Sequence, residues 1–278
     1  MRLGHIRNAF LSYYYLREKE IERVQFVKAH VKGSIIIDSG AHSFFAETDS
    51  NRLSASVVQK KGKTKQSPDE YFEKYIAWLK TCYPHFNYFV ELDIGELVGQ
   101  KKVIEWRERL KVAGLFDKCI TVYHPAVVTW EEYIRSLDES VSRYVAVEGD
   151  RRSRKRLPYT RMIKPAYERK VRVHGFALIK QDILNDSPLY SVDSSSWKAG
   201  AKYGAYIGIV GGKFKSVSMR EKNGKLFSLA SSVKDLAQIY DESKGKQRDK
   251  RYEMGLDTYK LMEDYYTQYW ERRGIKWD

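Results

Sequence analysis

The sequence predicts an α/β fold, a (β/α)₈ barrel in a single domain, and three observations predict it. Short runs rich in Val, Ile, Tyr and Phe alternate with stretches of helical apolar spacing. The alternation occurs eight times between Ala9 and Val210, and alternation of that kind implies a parallel sheet with helical crossovers. No GxGxxG or Walker-type loop is present, which removes the main support for an open dinucleotide-binding sheet. The closed barrel remains, and 278 residues is its usual size.

In chain order the predicted strands are Ala9 to Tyr14, Ser34 to Asp38, Tyr88 to Asp93, Cys119 to Tyr123 and Tyr144 to Val147. Val171 to Gly175, Leu189 to Asp193 and Ala205 to Val210 complete the eight. Ser67-Pro68-Asp69-Glu70 reads as an N-cap with proline at the first helical position. It opens a helix with Phe72, Tyr75, Ile76 and Leu79 on one face. Val103 to Val112 and Trp130 to Leu137 have the same spacing, the latter behind Thr129 as N-cap. Glu131 and Glu132 suit the positive end of that helix. After Val210 a small excursion near 211–230 is expected, with a hairpin around Asn223-Gly224. The chain ends in an aromatic-rich helix from Glu253.

Composition narrows the class. A hydrophobic fraction of 42% and a charged fraction of 31% suit a globular domain with a sizeable core. No apolar run approaches the roughly 20 residues of a bilayer span, and Met1 to Phe10 lacks the apolar core of a signal peptide. Cys82 and Cys119 are the only cysteines, which argues against a disulfide scaffold or a thiolate-rich zinc site. The expected location is the cytoplasm.

The net charge is +14. Arg151, Arg152, Arg154, Lys155 and Arg156 form one basic cluster, Lys244 to Arg251 a second and Lys60 to Lys65 a third. Clusters of this kind gain affinity for a polyphosphate by releasing its condensed counterions. A solvated surface that keeps the protein soluble would carry the same charge. Nucleic acid is the expected partner, and no amphipathic helix accompanies the charge to favour a membrane.

In a barrel the active site lies where strands end. Here the predicted strands end in Asp38, Asp93, His124 after Tyr123, Glu148, His174 and Asp193. Singly, Asp38 and Asp193 could cap the next helix, and His174 could be a satisfied core histidine. Jointly, four acids and two histidines on one rim indicate a site, because apolar strands do not otherwise keep ending in carboxylates. Metal-assisted phosphodiester hydrolysis and displacement at a sugar anomeric carbon both use such a set, and composition leaves both open.

Four segments carry a resemblance. They are Asp38-Ser39-Gly40-Ala41, Glu91-Leu92-Asp93, Val173-His174-Gly175-Phe176-Ala177-Leu178 and Tyr190-Ser191-Val192-Asp193-Ser194-Ser195-Ser196-Trp197. Together they resemble the tRNA-guanine transglycosylase superfamily. The last two are similar to its phage-encoded branch, the DpdA-type DNA-guanine transglycosylases, which insert 7-deazaguanine bases into DNA. The likeness runs from about Ala9 to about Gly208.

The resemblance implies Asp193 as the nucleophile at C1′, Asp38 as general acid/base and Asp93 as the carboxylate that binds the purine edge. Ser39, Gly40, His124, Glu148, His174 and Gly175 would line the substrate site, and the 151–156 cluster would contact nucleic acid. No metal or organic cofactor is implied, because a 7-deazaguanine such as preQ0 is the co-substrate. A phage-encoded protein would work in the host cytoplasm.

Two departures stand out. The family's C-terminal cysteine-rich zinc site has no counterpart, and Val147-Glu148-Gly149-Asp150 replaces an expected glycine pair. Loss of the zinc subdomain favours DNA over tRNA. Base exchange on tRNA, a metal-dependent nuclease and a non-catalytic DNA-binding subunit are the alternatives.

Overall fold

The computed structural model describes residues 7–17, 21–48, 66–125, 127–149, 157–198, 205–210, 213–218 and 248–277. The basic stretches 60–65 and 151–156, and Asn223-Gly224, lie outside these residues.

The fold is mixed α/β. Its elements are β1 (Ala9–Ser12), α1 (Tyr13–Leu16), α2 (Glu22–His30), β2 (Ile35–Asp38), α3 (Ala41–Thr48), α4 (Pro68–Cys82) and β3 (Tyr88–Val90). Then come α5 (Gly95–Val98), α6 (Gln100–Val112), β4 (Cys119–Tyr123), α7 (Trp130–Asp138), β5 (Tyr144–Val147), α8 (Tyr159–Glu168) and β6 (Arg172–Gly175). The last are α9 (Gln181–Asp186), β7 (Ser191–Val192), β8 (Ala205–Val210), β9 (Lys213–Ser218) and α10 (Arg248–Glu271). Strands β1 to β7 follow one another in sequence order through a seven-stranded sheet. The pairings from β1 to β5 are all parallel, with Ser12 opposite Asp38, Ile37 opposite Phe89, Val90 opposite Ile120 and Tyr123 opposite Val147.

The chain divides into two compact units. One comprises Ile6–Glu148 and Lys164–His174, the other Met1–His5, Gly149–Ile163 and Gly175–Asp278.

In the first unit the strands are short and apolar because helices cover them. All five residues of β4 and all four of β5 are buried, as in a parallel sheet covered on both faces. Helix α4 starts where the sequence predicts. Ser67 Oγ accepts from Glu70 N at 3.2 Å, and Glu70 Oε2 accepts from Ser67 N at 2.9 Å. This capping box satisfies two helix-end donors. Its buried face, Tyr71, Phe72, Tyr75, Ile76, Leu79 and Cys82, joins a core with Tyr13, Ile35, Ile37, Phe44, Phe89 and Trp106. Thr129 and Glu132 repeat the capping box on α7.

Three predicted strands end early. Tyr13 to Leu16 turns into helix, with Arg17 N donating to Tyr13 O at 2.7 Å, so β1 stops at Ser12. β3 stops at Val90, and Asp93 stands in a tight turn in which Ile94 N donates to Leu92 O at 3.1 Å. β7 shrinks to Ser191–Val192, leaving Asp193 beyond its end.

In the second unit the predicted eighth barrel strand is corrected. Ala205–Val210 has the expected bounds, but it pairs antiparallel with Lys213–Ser218 in a separate two-stranded sheet. Gly211-Gly212 stands between the two strands, and two residues allow a local hairpin where a parallel partner needs a long crossover. Helix α10 packs Met262 and Tyr266 with Leu184 and Phe214 in this unit's core. Among the described residues no helix is long and apolar enough to cross a membrane.

Candidate active site

Asp38, the last residue of β2, is followed by a completely buried Ser39 and by Gly40. Gly40 has φ +77°, and a Cβ there would stand 2.9 Å from the Tyr71 phenol oxygen and against the Tyr14 side chain. Only glycine takes this left-handed turn without strain, which lets α3 begin at once. The site is braced from α4. Tyr71 donates its phenol to the Ser39 carbonyl at 2.7 Å, and Tyr75 donates to the Val90 carbonyl at 2.8 Å. Burial, with the negative charge of Asp38 adding to it, pushes both phenols well above their ordinary range. They stay protonated and remain donors.

Beside this, four side chains that follow successive strands meet. Ser39 Oγ donates to Asp93 Oδ1 at 3.3 Å. Asp93 Oδ2 is 3.3 Å from His124 Nε2, and His124 Nδ1 is 2.7 Å from Glu148 Oε2. His124 directly follows β4 and Glu148 directly follows β5, where Glu148 N donates to Tyr123 O at 3.2 Å. Burial alone would lower the His124 pKa. Its hydrogen bonds to Asp93 and Glu148, with their charges, outweigh burial and lift it to about 10. The imidazole is thus an imidazolium at neutral pH, with both ring nitrogens donating to carboxylates. A cation held this way fixes the rotamers of Asp93 and Glu148.

Glu91, two residues before Asp93, goes elsewhere. It is buried and accepts from Arg107 Nε at 2.5 Å, Arg107 Nη2 at 2.7 Å and Val122 N at 2.7 Å. This bidentate pair ties the end of β3 to α6 and to β4, which fixes where the Asp93 turn begins. Nothing in the local sequence marks Arg107. An arginine on an otherwise amphipathic helix reads as solvated surface, and only the fold supplies its partner.

His174 takes a place in the core. It is 2% exposed, and its ring stacks on Phe10 with centroids 5.0 Å apart and planes 10° from parallel. Tyr123 is also buried, stacked on Tyr133 at 4.3 Å.

The second unit holds Asp193. Its Oδ1 accepts from Ala177 N at 2.8 Å. Ala177 has φ +53°, a left-handed conformation costly for a residue with a Cβ. Gly149 and Gly175 make room around this turn. A Cβ on Gly149 would overlap the Phe176 carbonyl, and one on Gly175 would stand 2.8 Å from Leu178 and 2.9 Å from Leu189 side-chain carbons. The His-Gly-Phe-Ala-Leu segment is therefore a device that presents one backbone N–H to Asp193. A positive φ at alanine leaves no mark in sequence, so this donor was not foreseen. The predicted nucleic-acid residues Arg151, Arg152, Arg154, Lys155 and Arg156 lie outside the described residues.

Among the described residues no cluster of three or more His, Cys, Asp or Glu is arranged to hold a metal ion. No protein-family model matches the chain, and no curated protein matches it.

Proposed function

We propose that this chain is a base-exchanging glycosyltransferase that replaces guanine in DNA with a 7-deazaguanine such as preQ0. The observation that carries this reading is the Asp93 carboxylate, held on one oxygen by Ser39 and on the other by the His124 imidazolium. A guanine edge offers adjacent N–H donors, and a carboxylate with fixed orientation accepts them in pairs. Each Asp93 oxygen keeps a lone pair for that purpose while Ser39 and His124 hold it.

In this reading Asp193 attacks C1′ of the target nucleoside, and the C1′–N9 bond breaks. Guanine leaves with a proton from Asp38, and the sugar stays bound as an aspartyl ester. The incoming base gives its proton to Asp38, and its nitrogen displaces Asp193 from C1′. Two inversions return the original configuration. A target inside a duplex must first be unstacked, which costs a few kcal/mol. The net charge of +14 supports a polyanionic substrate.

The test is incubation with preQ0 and, separately, duplex DNA, single-stranded DNA or tRNA, followed by digestion to nucleosides and mass spectrometry. A deazaguanine deoxynucleoside with release of guanine is expected from DNA, and Asp193→Ala and Asp93→Ala should abolish it. The product from tRNA alone would keep the mechanism and overturn the substrate. No exchange with any of them, across several deazaguanines, would overturn the reading.

A further inference from the structure

Helix α10 carries a glycine, Gly255, in its interior, although glycine is the poorest helix former after proline. The reason is contact. A Cβ at Gly255 would overlap the carbonyl oxygen of Trp197, so the helix backbone lies directly on the short 3₁₀ turn Ser196–Lys198. Two more residues of α10 touch the same segment. The Tyr252 ring meets the Trp197 ring edge to face at 5.7 Å. Tyr259 donates its phenol to Ser194 Oγ at 3.4 Å, and that oxygen also accepts from Ser196 N at 3.0 Å. Positions 252, 255 and 259 are spaced three and four apart, so they form one stripe of the helix. The segment they cover begins at the residue after Asp193.

The geometry points to α10 as a clamp on the Asp193 loop, with Tyr259 as a positioning residue for that carboxylate. Asp193 is then set from two sides. Ala177 N–H fixes Oδ1, and the α10 stripe fixes the chain that leads away from it. Burial raises the Tyr259 pKa, the serine hydrogen bonds lower it and the charge of Asp193 raises it, with a net upward shift. The phenol therefore remains a donor through the neutral range. Its value to the reaction rests on the proposed role of Asp193 as nucleophile. An attacking oxygen displaced by about 1 Å can cost about a hundredfold in rate without weakening binding.

The experiment compares the wild type with Tyr259→Phe and Gly255→Ala. Amide hydrogen exchange is followed at residues 194–198, with α7 as an internal control, and base-exchange kinetics are measured alongside. Both variants are expected to lose protection at 194–198 while α7 stays protected. We expect kcat to fall about ten- to hundredfold with KM for DNA and for the incoming base within about twofold. Wild-type protection and wild-type kcat in both variants would overturn the clamp. Protection lost equally at 194–198 and α7 would also overturn it, because the effect would then be global. If the wild type exchanges no base, yet the variants lose protection only at 194–198, the clamp stands and the proposed reaction falls.

Discussion

His124 Nδ1 lies 2.7 Å from Glu148 Oε2, and these two residues directly follow adjacent parallel strands. The pair has a consequence for pH. The folded pKa of His124, about 10, lies above the roughly 6.5 of a free histidine. Its stabilisation is therefore complete below about pH 6.5 and is lost as pH rises toward 10. Denaturant midpoints of the wild type and His124→Gln, measured from pH 6 to 10, should converge with rising pH. The lost contribution is on the order of 3 to 5 kcal/mol. Parallel pH curves would show that the imidazole carries no extra proton.

Tyr71 reaches across from α4 to the buried Ser39 carbonyl. Tyr71→Phe keeps the ring and leaves that carbonyl without this donor, so about 1–3 kcal/mol of stability should be lost. Chemical denaturation measures it. A cost below about 0.5 kcal/mol would mean that another donor serves the carbonyl.

Arg107→Met strands the Glu91 carboxylate in the interior and should cost about 3–5 kcal/mol. Glu91→Gln combined with Arg107→Met removes both charges and should recover part of that loss. A double-mutant cycle in urea reads the coupling, and simple additivity of the two changes would contradict it.

The two capping boxes are separable from the site. Ser67→Ala and Thr129→Ala should each cost about 1 kcal/mol and sum when combined, since they start different helices. Thermal melts give the values, and base exchange should persist in both.

Gly40→Ala tests the turn between β2 and α3. A residue with a Cβ at φ +77° meets Tyr14 and Tyr71, so the loss should exceed the 1–2 kcal/mol of left-handed strain alone. A neutral result in the same melts would mean that the turn can change conformation at little cost.

The sequence by itself determined the local elements. Periodicity and cap chemistry act over a few residues, which is why Cys119–Tyr123, Tyr144–Val147 and the Ser67 and Thr129 helix starts stand where they were read. It also singled out Asp93 and Glu148, because an acid following an apolar run is conspicuous, and His124 bridges these two in the fold. What it could not settle depends on partners distant in the chain. The eighth β-run had the right bounds, but pairing is a choice between partners, and the nearer one, Lys213–Ser218, took it. Glu91, two residues before Asp93, is held by Arg107, 16 residues on, a partner that only the fold supplies. His124 became an imidazolium only when the fold set it between two carboxylates. Gly255 had a meaning only once the Trp197 carbonyl lay against it. Local free energies are written residue by residue, whereas charge state, pairing and close approach are set by which side chains the packed chain brings within a few ångströms.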